Sequence, residues 1–317
     1  MKPKSLLVVG GTGFFGKSIL KYIIHYNYLK KYFDKVFILS RNKLKKKEFS
    51  YIKSKKNFHI TKINSNISNV KRLPCVDYVI YAALLKNYNE DHRALKKYLE
   101  LAKKFHPKSK ILYISSGAVY GEQPNSINEF SENYLEFNKK INFKSGYKKK
   151  YAYFKLKNEK LFKKFGKKGG KVSIARCFSF VGEFLPQVSK YVLGNFIKSI
   201  LSNKKININS NHKIIRSYMY SDDLVKWLFK ILFHSNPSCP IYNVGSNDAV
   251  EIQEIALLLA KKYNLKVTSK TINIKKTDKY IPSVDKAKKE LGLKNKLKSF
   301  QAITKTIALL KKNYETS

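Results

Sequence analysis

The feature that most restricts this chain is at its amino terminus. A short apolar run, Ser5–Val9, leads directly into Gly10-Gly11-Thr12-Gly13-Phe14-Phe15-Gly16, and helical periodicity then begins, with Ile19, Ile23 and Ile24 on one stripe. A continuous apolar run suits a strand buried on both faces of a parallel sheet. The three spaced glycines have separate tasks. Gly10 permits a tight turn, Gly13 lets the backbone approach a pyrophosphate, and Gly16 lets the helix pack on the strand. The helix start adds N–H donors and the positive end of a dipole. The expectation is a dinucleotide held by Gly10, Thr12, Gly13, Phe14, Phe15 and Gly16. A P-loop ending in Lys17-Ser18 is disfavoured, because its loop would be Thr12-Gly13-Phe14-Phe15, with two bulky aromatics.

Downstream, apolar runs predict strands over Val36–Leu39, Phe58–Ile63, Tyr78–Ala83 and Lys110–Ser115. A helix is expected over Asp91–Phe105, stopping before Pro107. Strands alternating with helices imply an α/β fold, a Rossmann-type doubly wound parallel sheet. Glu122–Lys150 breaks the pattern and reads as a long polar loop. A helix over Tyr147–Phe165 and a strand over Val172–Arg176 follow. After Gly182 the rhythm changes. Helices are predicted over Val188–Ser202, Asp222–Phe233, Ile252–Tyr263 and Phe300–Lys312, with short strands near Ser217–Tyr220, Ile241–Val244 and Lys266–Thr268. The expected division is a dinucleotide-binding Rossmann domain over residues 1–182 and a smaller substrate-binding α/β lobe over 183–317, some C-terminal segments returning to the sheet domain. Lys43–Lys47 and Lys148–Lys150 read as solvated loops.

Three further stretches carry chemistry. The second strand ends Leu39-Ser40-Arg41-Asn42, with an Arg and no carboxylate where a dinucleotide's adenosine ribose would lie. That favours NADP over NAD, with Ser40 and Arg41 as contacts. The fifth strand runs into Ser115-Ser116 at its carboxyl end, the edge where open α/β sheets bind ligands. A hydroxyl there needs a proton-moving partner. A Tyr followed four residues later by Lys would serve, since a nearby ammonium favours an ionised phenol. That spacing occurs four times, at Tyr26/Lys30, Tyr51/Lys55, Tyr151/Lys155 and Tyr153/Lys157. Only the last two open the helix that follows the hydroxyl strand, and only Tyr151-x-x-x-Lys155 continues to Glu159.

The charge balance needs its own reading. With 65 Lys+Arg against 21 Asp+Glu, the formal net charge is +44. Only Arg41, Arg72, Arg93, Arg176 and Arg216 are arginines; the rest are lysines spread from end to end. Nucleic-acid surfaces concentrate their charge and use Arg for bidentate contacts, so no specific nucleic-acid partner is expected. Cys75, Cys177 and Cys239 have no metal-binding spacing, and no metal site is expected. No apolar run reaches the ~18–20 residues of a membrane span. A soluble, cytoplasmic protein without membrane insertion is expected.

These motifs together resemble the extended short-chain dehydrogenase/reductase superfamily, in particular its NAD-dependent epimerase/dehydratase group, which acts on nucleotide sugars. The resemblance continues through Ala175–Gly182, Arg216–Leu224, Tyr242–Ser246 and Ala287–Gly292. It implies that Ser116 and Tyr151 bind the sugar hydroxyl or ketone, with Tyr151 as acid/base, and that Lys155 orients the nicotinamide ribose. By the same resemblance Asn66 and Ile67 meet the adenine, Ala82 and Ala83 line the cofactor, and Asn195 and Arg216 face the substrate's diphosphate. A homodimer is implied as well. Dehydratases of the superfamily place Asp-Glu directly after the catalytic hydroxyl, and decarboxylases a Glu in the second of those positions. Here Gly117 and Ala118 stand there, so elimination lacks its acid/base pair. Asp91, Tyr81, Ser179 and Glu183 also depart from the usual Asn, His, Asn and Pro. Two reactions at sugar C4 remain, 4-keto reduction, slightly preferred, and 4-epimerisation. A cofactor-sensing Rossmann protein without turnover is the non-enzyme alternative.

Overall fold

The computed structural model describes residues 4–26, 29, 32–41, 59–137, 141–143, 146–186, 192–269 and 273–315. In chain order its first elements are β1 (Lys4–Val9), α1 (Phe14–His25), β2 (Phe33–Ser40), β3 (His59–Asn64), β4 (Tyr78–Tyr81), α2 (Tyr88–Phe105), β5 (Lys110–Ser116), α3 (Gly146–Lys167), β6 (Lys171–Cys177) and β7 (Phe180–Val181). There follow α4 (Val192–Leu201), β8 (Ile206–Ile208), β9 (His212–Ser217), β10 (Met219–Tyr220), α5 (Ser221–Phe233), β11 (Ile241–Val244), β12 (Ala249–Glu251), α6 (Ile252–Tyr263), β13 (Val267–Ser269), β14 (Asn273–Tyr280), α7 (Asp285–Leu291) and α8 (Ser299–Glu315).

Seven strands form one sheet in the order β11-β6-β5-β4-β1-β2-β3. The pairings from β3 through β2, β1 and β4 to β5 are all parallel, with Val9 opposite both Leu39 of β2 and Tyr81 of β4. The chain therefore winds outward from β1 to β3, returns to the other side of β1 at β4, and winds outward again. That reversal leaves a crevice beyond the carboxyl ends of β1 and β4, where ligands of open α/β sheets bind. Apolar residues bury the sheet on both faces: Leu6, Leu7, Val8 and Val9 are fully or almost fully buried. One core cluster joins Leu7, Val9, Val79, Tyr81 and Ile111 to Leu95, Tyr98, Phe162 and Val172.

The chain divides into two compact units that interleave in sequence. Unit 1 comprises Met1–Val119, Ser145–Arg176 and Val225–Tyr242; unit 2 comprises Tyr120–Lys144, Cys177–Leu224 and Asn243–Ser317. Relative to a division at residue 182, Tyr120–Lys144 groups with the second unit and Val225–Tyr242 with the first. Unit 2 has its own core, built around Val181, Phe196, Ile197, Ile208, Leu259 and Ile303. Its small sheets pair β12-β9-β14, β10-β7 and β13-β8.

Several boundaries differ from the sequence reading. α2 starts at Tyr88, not Asp91, because Asn87 caps it: its Oδ1 accepts the N–H groups of Asn89 at 2.9 Å and Glu90 at 3.3 Å. Asn followed three residues later by Glu is a capping signature that apolar periodicity cannot reveal. Lys148–Lys150 are exposed residues of α3 and not loop. β8, β9 and β14 were not anticipated. The Asn273–Tyr280 segment of β14 is too polar for a period-two pattern and is defined by pairing with β9. Lys30, Asn42, Lys43–Lys47, the Tyr51/Lys55 pair, Phe58 and residues 188–191 lie outside the described residues.

Candidate active site

The glycine loop is shaped by what its neighbours leave no room for. Gly10 has φ +91°, and a Cβ there would lie 2.7 Å from the Ala83 backbone nitrogen. Its N–H donates to Leu39 O at 2.8 Å, while the Ala82 N–H donates to Val9 O at 2.8 Å. The loop is thus stitched between β2 and the end of β4. A Cβ on Gly16 would meet Gly11 Cα at 2.3 Å, so Gly16 serves helix packing. Gly13 differs. A Cβ there would approach nothing closer than Gly10 O at 3.7 Å. The protein's own packing does not require glycine at this position, which lines a cavity. Gly13 is also the N-cap of α1. It contributes no side-chain cap, and the first turn carries no acidic residue. An anion would meet a favourable dipole there without competition from a carboxylate.

That cavity has a volume of about 330 Å³ and lies at the carboxyl ends of β1 to β5. Of the residues expected at a dinucleotide, it gathers Gly10, Thr12, Gly13, Phe14, Phe15, Ser40, Arg41, Asn66, Ile67, Ala82, Ala83, Tyr151 and Lys155. The Thr12 and Ser40 hydroxyls are 2.5 Å apart, which ties the glycine loop to the end of β2. Arg41, next in sequence, is exposed at the rim. Asn66 caps a short turn, accepting the Ser68 N–H at 3.3 Å, and Ile67 is buried. The sequence reading missed Ser65, Leu84 and Leu85, which also line the cavity. Leu84 is 49% exposed, and an exposed Leu at a strand's carboxyl end has no signature in sequence.

α3 delivers the Tyr/Lys pair from the far side. Tyr151 is half-buried and Lys155 is buried, one turn apart on the face toward β5. Lys155 Nζ donates to Ile114 O at 3.0 Å and stands 5.0 Å from the Tyr113 ring centre and 5.9 Å from that of Tyr151. Burial works against its charge, but Tyr113, Tyr151 and Asp91 outweigh burial and hold the Lys155 ammonium above its usual range. Tyr153 projects outward, 58% exposed, with Lys157 beside its ring. A two-residue step turns a helix by about 200°.

The end of β5 is braced from below. Ser115 Oγ donates to Glu159 Oε1 at 2.6 Å, and Arg176 donates to the same carboxylate through Nε at 3.1 Å and Nη2 at 2.8 Å. Ser115 lines the cavity, whereas Ser116 stands outside its lining with Oγ accepting the Ala118 N–H at 3.2 Å. Gly117 and Ala118 begin the tight turn that follows. Neither offers a group that could move a proton. Gly16 also lies outside the lining. Asn195 and Arg216 belong to unit 2. Asn195 is half-buried on α4; Arg216 pairs with Asp278 at 3.1 Å and donates to the carbonyls of Ile215 and Asp278. Among the described residues no cluster of His, Cys, Asp and Glu could hold a metal, and no helix is long and apolar enough to cross a membrane.

A parallel sheet reversing at β1, with a glycine loop and a Tyr/Lys pair at one cavity, defines a Rossmann-type α/β protein. Residues 6–245 match the NAD dependent epimerase/dehydratase family, and the chain belongs to that family. A dTDP-D-glucose 4,6-dehydratase of Dictyostelium discoideum is 26% identical over 297 residues, 86% of this chain. The match spans 62% of that relative's length. Two solved structures share the fold. The dTDP-glucose 4,6-dehydratase of Bacillus anthracis in complex with NAD has a TM-score of 0.78 at 19% identity, covering 98% of each chain. The UDP-glucose 4-epimerase of Thermotoga maritima with UDP-glucose has a TM-score of 0.76 at 19% identity, covering 98% of this chain and 99% of the other.

Proposed function

We propose that this protein is a nicotinamide-dependent enzyme acting at C4 of a nucleotide-activated sugar, with NADP(H) preferred and 4-keto reduction favoured over 4-epimerisation. The observation that carries the reading is one cavity bordered by the Gly10–Phe15 loop, Tyr151 and Lys155, which lie far apart in sequence. The residues fit a dinucleotide: the missing Cβ of Gly13 opens backbone to the cavity, and the start of α1 suits a pyrophosphate. Arg41 at the rim suits a 2′-phosphate. A bound nicotinamide would supply or accept the hydride. The chain's own part is to hold and to move a proton. Lys155 would orient the ribose, Tyr151 Oη would give or take the hydroxyl proton, and Ser116 would bind the same oxygen. The related proteins are named for TDP- and UDP-sugars. Gly117 and Ala118 leave no acid/base pair for elimination, which argues against dehydration despite those names.

Mass spectrometry of small molecules released from the purified protein tests the reading. NADP(H) or NAD(H) is expected, with a nucleotide sugar as the candidate for turnover assays. A protein that carries no nicotinamide dinucleotide and binds none on addition would defeat it.

A further inference from the structure

Behind Lys155 lies a buried polar cluster that the proposed reaction does not use. Asp91 is 3% exposed. Its Oδ1 accepts the Leu85 N–H at 2.8 Å, and its Oδ2 accepts from Asn158 Nδ2 at 3.3 Å. Leu85 closes the Ala82–Leu85 wall of the cavity, and Asn158 sits on α3 one turn beyond Lys155. Asn158 Oδ1 in turn lies 2.6 Å from Nδ1 of buried His92, whose Nε2 meets no partner. One carboxylate therefore bridges the cavity wall after β4 to the helix that carries Tyr151 and Lys155.

We propose that Asp91 is a positioning residue of this site: through Leu85 and Asn158 it fixes the cavity wall against α3, and its buried charge balances that of Lys155. This deepens the cofactor reading above and rests on it. The groups facing the pair come from every neighbouring element: Tyr81 on β4, Tyr88 and His92 on α2, Tyr113 on β5 and Tyr151 on α3. Asp91 and Lys155 each favour the other's charged form, which makes the carboxylate a counter-charge for the ammonium. Burial raises the Asp91 pKa, while Lys155, the Leu85 N–H, Asn158 and His92 act in the opposite sense. Tyr113 is pushed up to about 12, chiefly by burial, and stays neutral beside them.

Asp91→Asn can keep both contacts if Asn158 and His92 reverse donor and acceptor, so it removes the charge and little else. The test is the affinity for NADPH and NADH, read by nucleotide fluorescence from pH 6 to 10, with thermal melting as the fold control. Wild type should bind evenly until the alkaline end. Asp91→Asn should lose affinity within this pH window as pH rises, because burial then acts on a Lys155 ammonium that has lost its counter-charge. The exchange Asp91→Asn/Asn158→Asp returns one carboxylate to the cluster and should restore the wild-type pH curve. Asp91→Ala, which also cuts the Leu85 tie, should weaken binding about tenfold at every pH. An unshifted curve in Asp91→Asn, or an exchange variant that folds but does not recover, overturns the proposal. If wild type binds neither nucleotide, the functional reading beneath it fails instead.

Discussion

Arg176→Met should unfold this protein at markedly lower denaturant. The Arg176–Glu159 pair is closed off from water, with the two side chains 4% and 3% exposed. Glu159 accepts three hydrogen bonds, two from Arg176 and one from Ser115. Methionine fills much of the vacated volume but removes two of the three and the paired counter-charge. A carboxylate is then left in the sheet–helix junction with one hydroxyl. Breaking a buried pair on one side typically costs about 3–5 kcal/mol. For a chain of 317 residues that corresponds to a melting shift of roughly 5–8 °C. Glu159→Leu/Arg176→Met removes both charges together and should recover most of the loss, less about 1 kcal/mol for the unpaired Ser115. Urea unfolding followed by circular dichroism measures all three proteins. The reasoning fails if Arg176→Met unfolds within about 1 kcal/mol of wild type, or if the double variant is no better than the single.

Other expectations address the cavity. Tyr151→Phe should keep fold and cofactor affinity and slow single-turnover hydride transfer by about 10²–10⁴, while Tyr153→Phe, altering an exposed ring, should leave it near wild type; the reverse ranking would refute the helix register. Arg41→Ala should weaken NADP(H) about tenfold and NAD(H) little, and titration of both nucleotides against both proteins decides it, equal losses being the adverse result. Gly10→Ala should destabilise the fold by about 1–3 kcal/mol from its backbone conformation alone, before the clash with Ala83. Gly13→Ala should leave the melting temperature unchanged and reduce dinucleotide binding, so a destabilised Gly13→Ala would show that packing, and not a ligand, demands that glycine.

Local order explains what could be read from the residues. A strand, a glycine-spaced turn and a helix occupy consecutive positions, so the loop of Gly10–Gly16 is written in one short segment whose steric demands are its own. The face shared by Tyr151 and Lys155 follows from helical pitch once the helix is placed, and pitch does not depend on the rest of the chain. The charge distribution, and the small residues at Gly117 and Ala118, needed no coordinates either. Tertiary structure alone decided which distant side chains meet. Glu159 and Arg176 come from a helix and the strand after it, Asp91 and Asn158 from two helices, and nothing in their spacing pairs them. The strand β14 exists only because β9 lies beside it. Each of these depends on the order in which the strands pack, and that order is settled by burying apolar surface across the whole sheet, a quantity no short window of sequence contains.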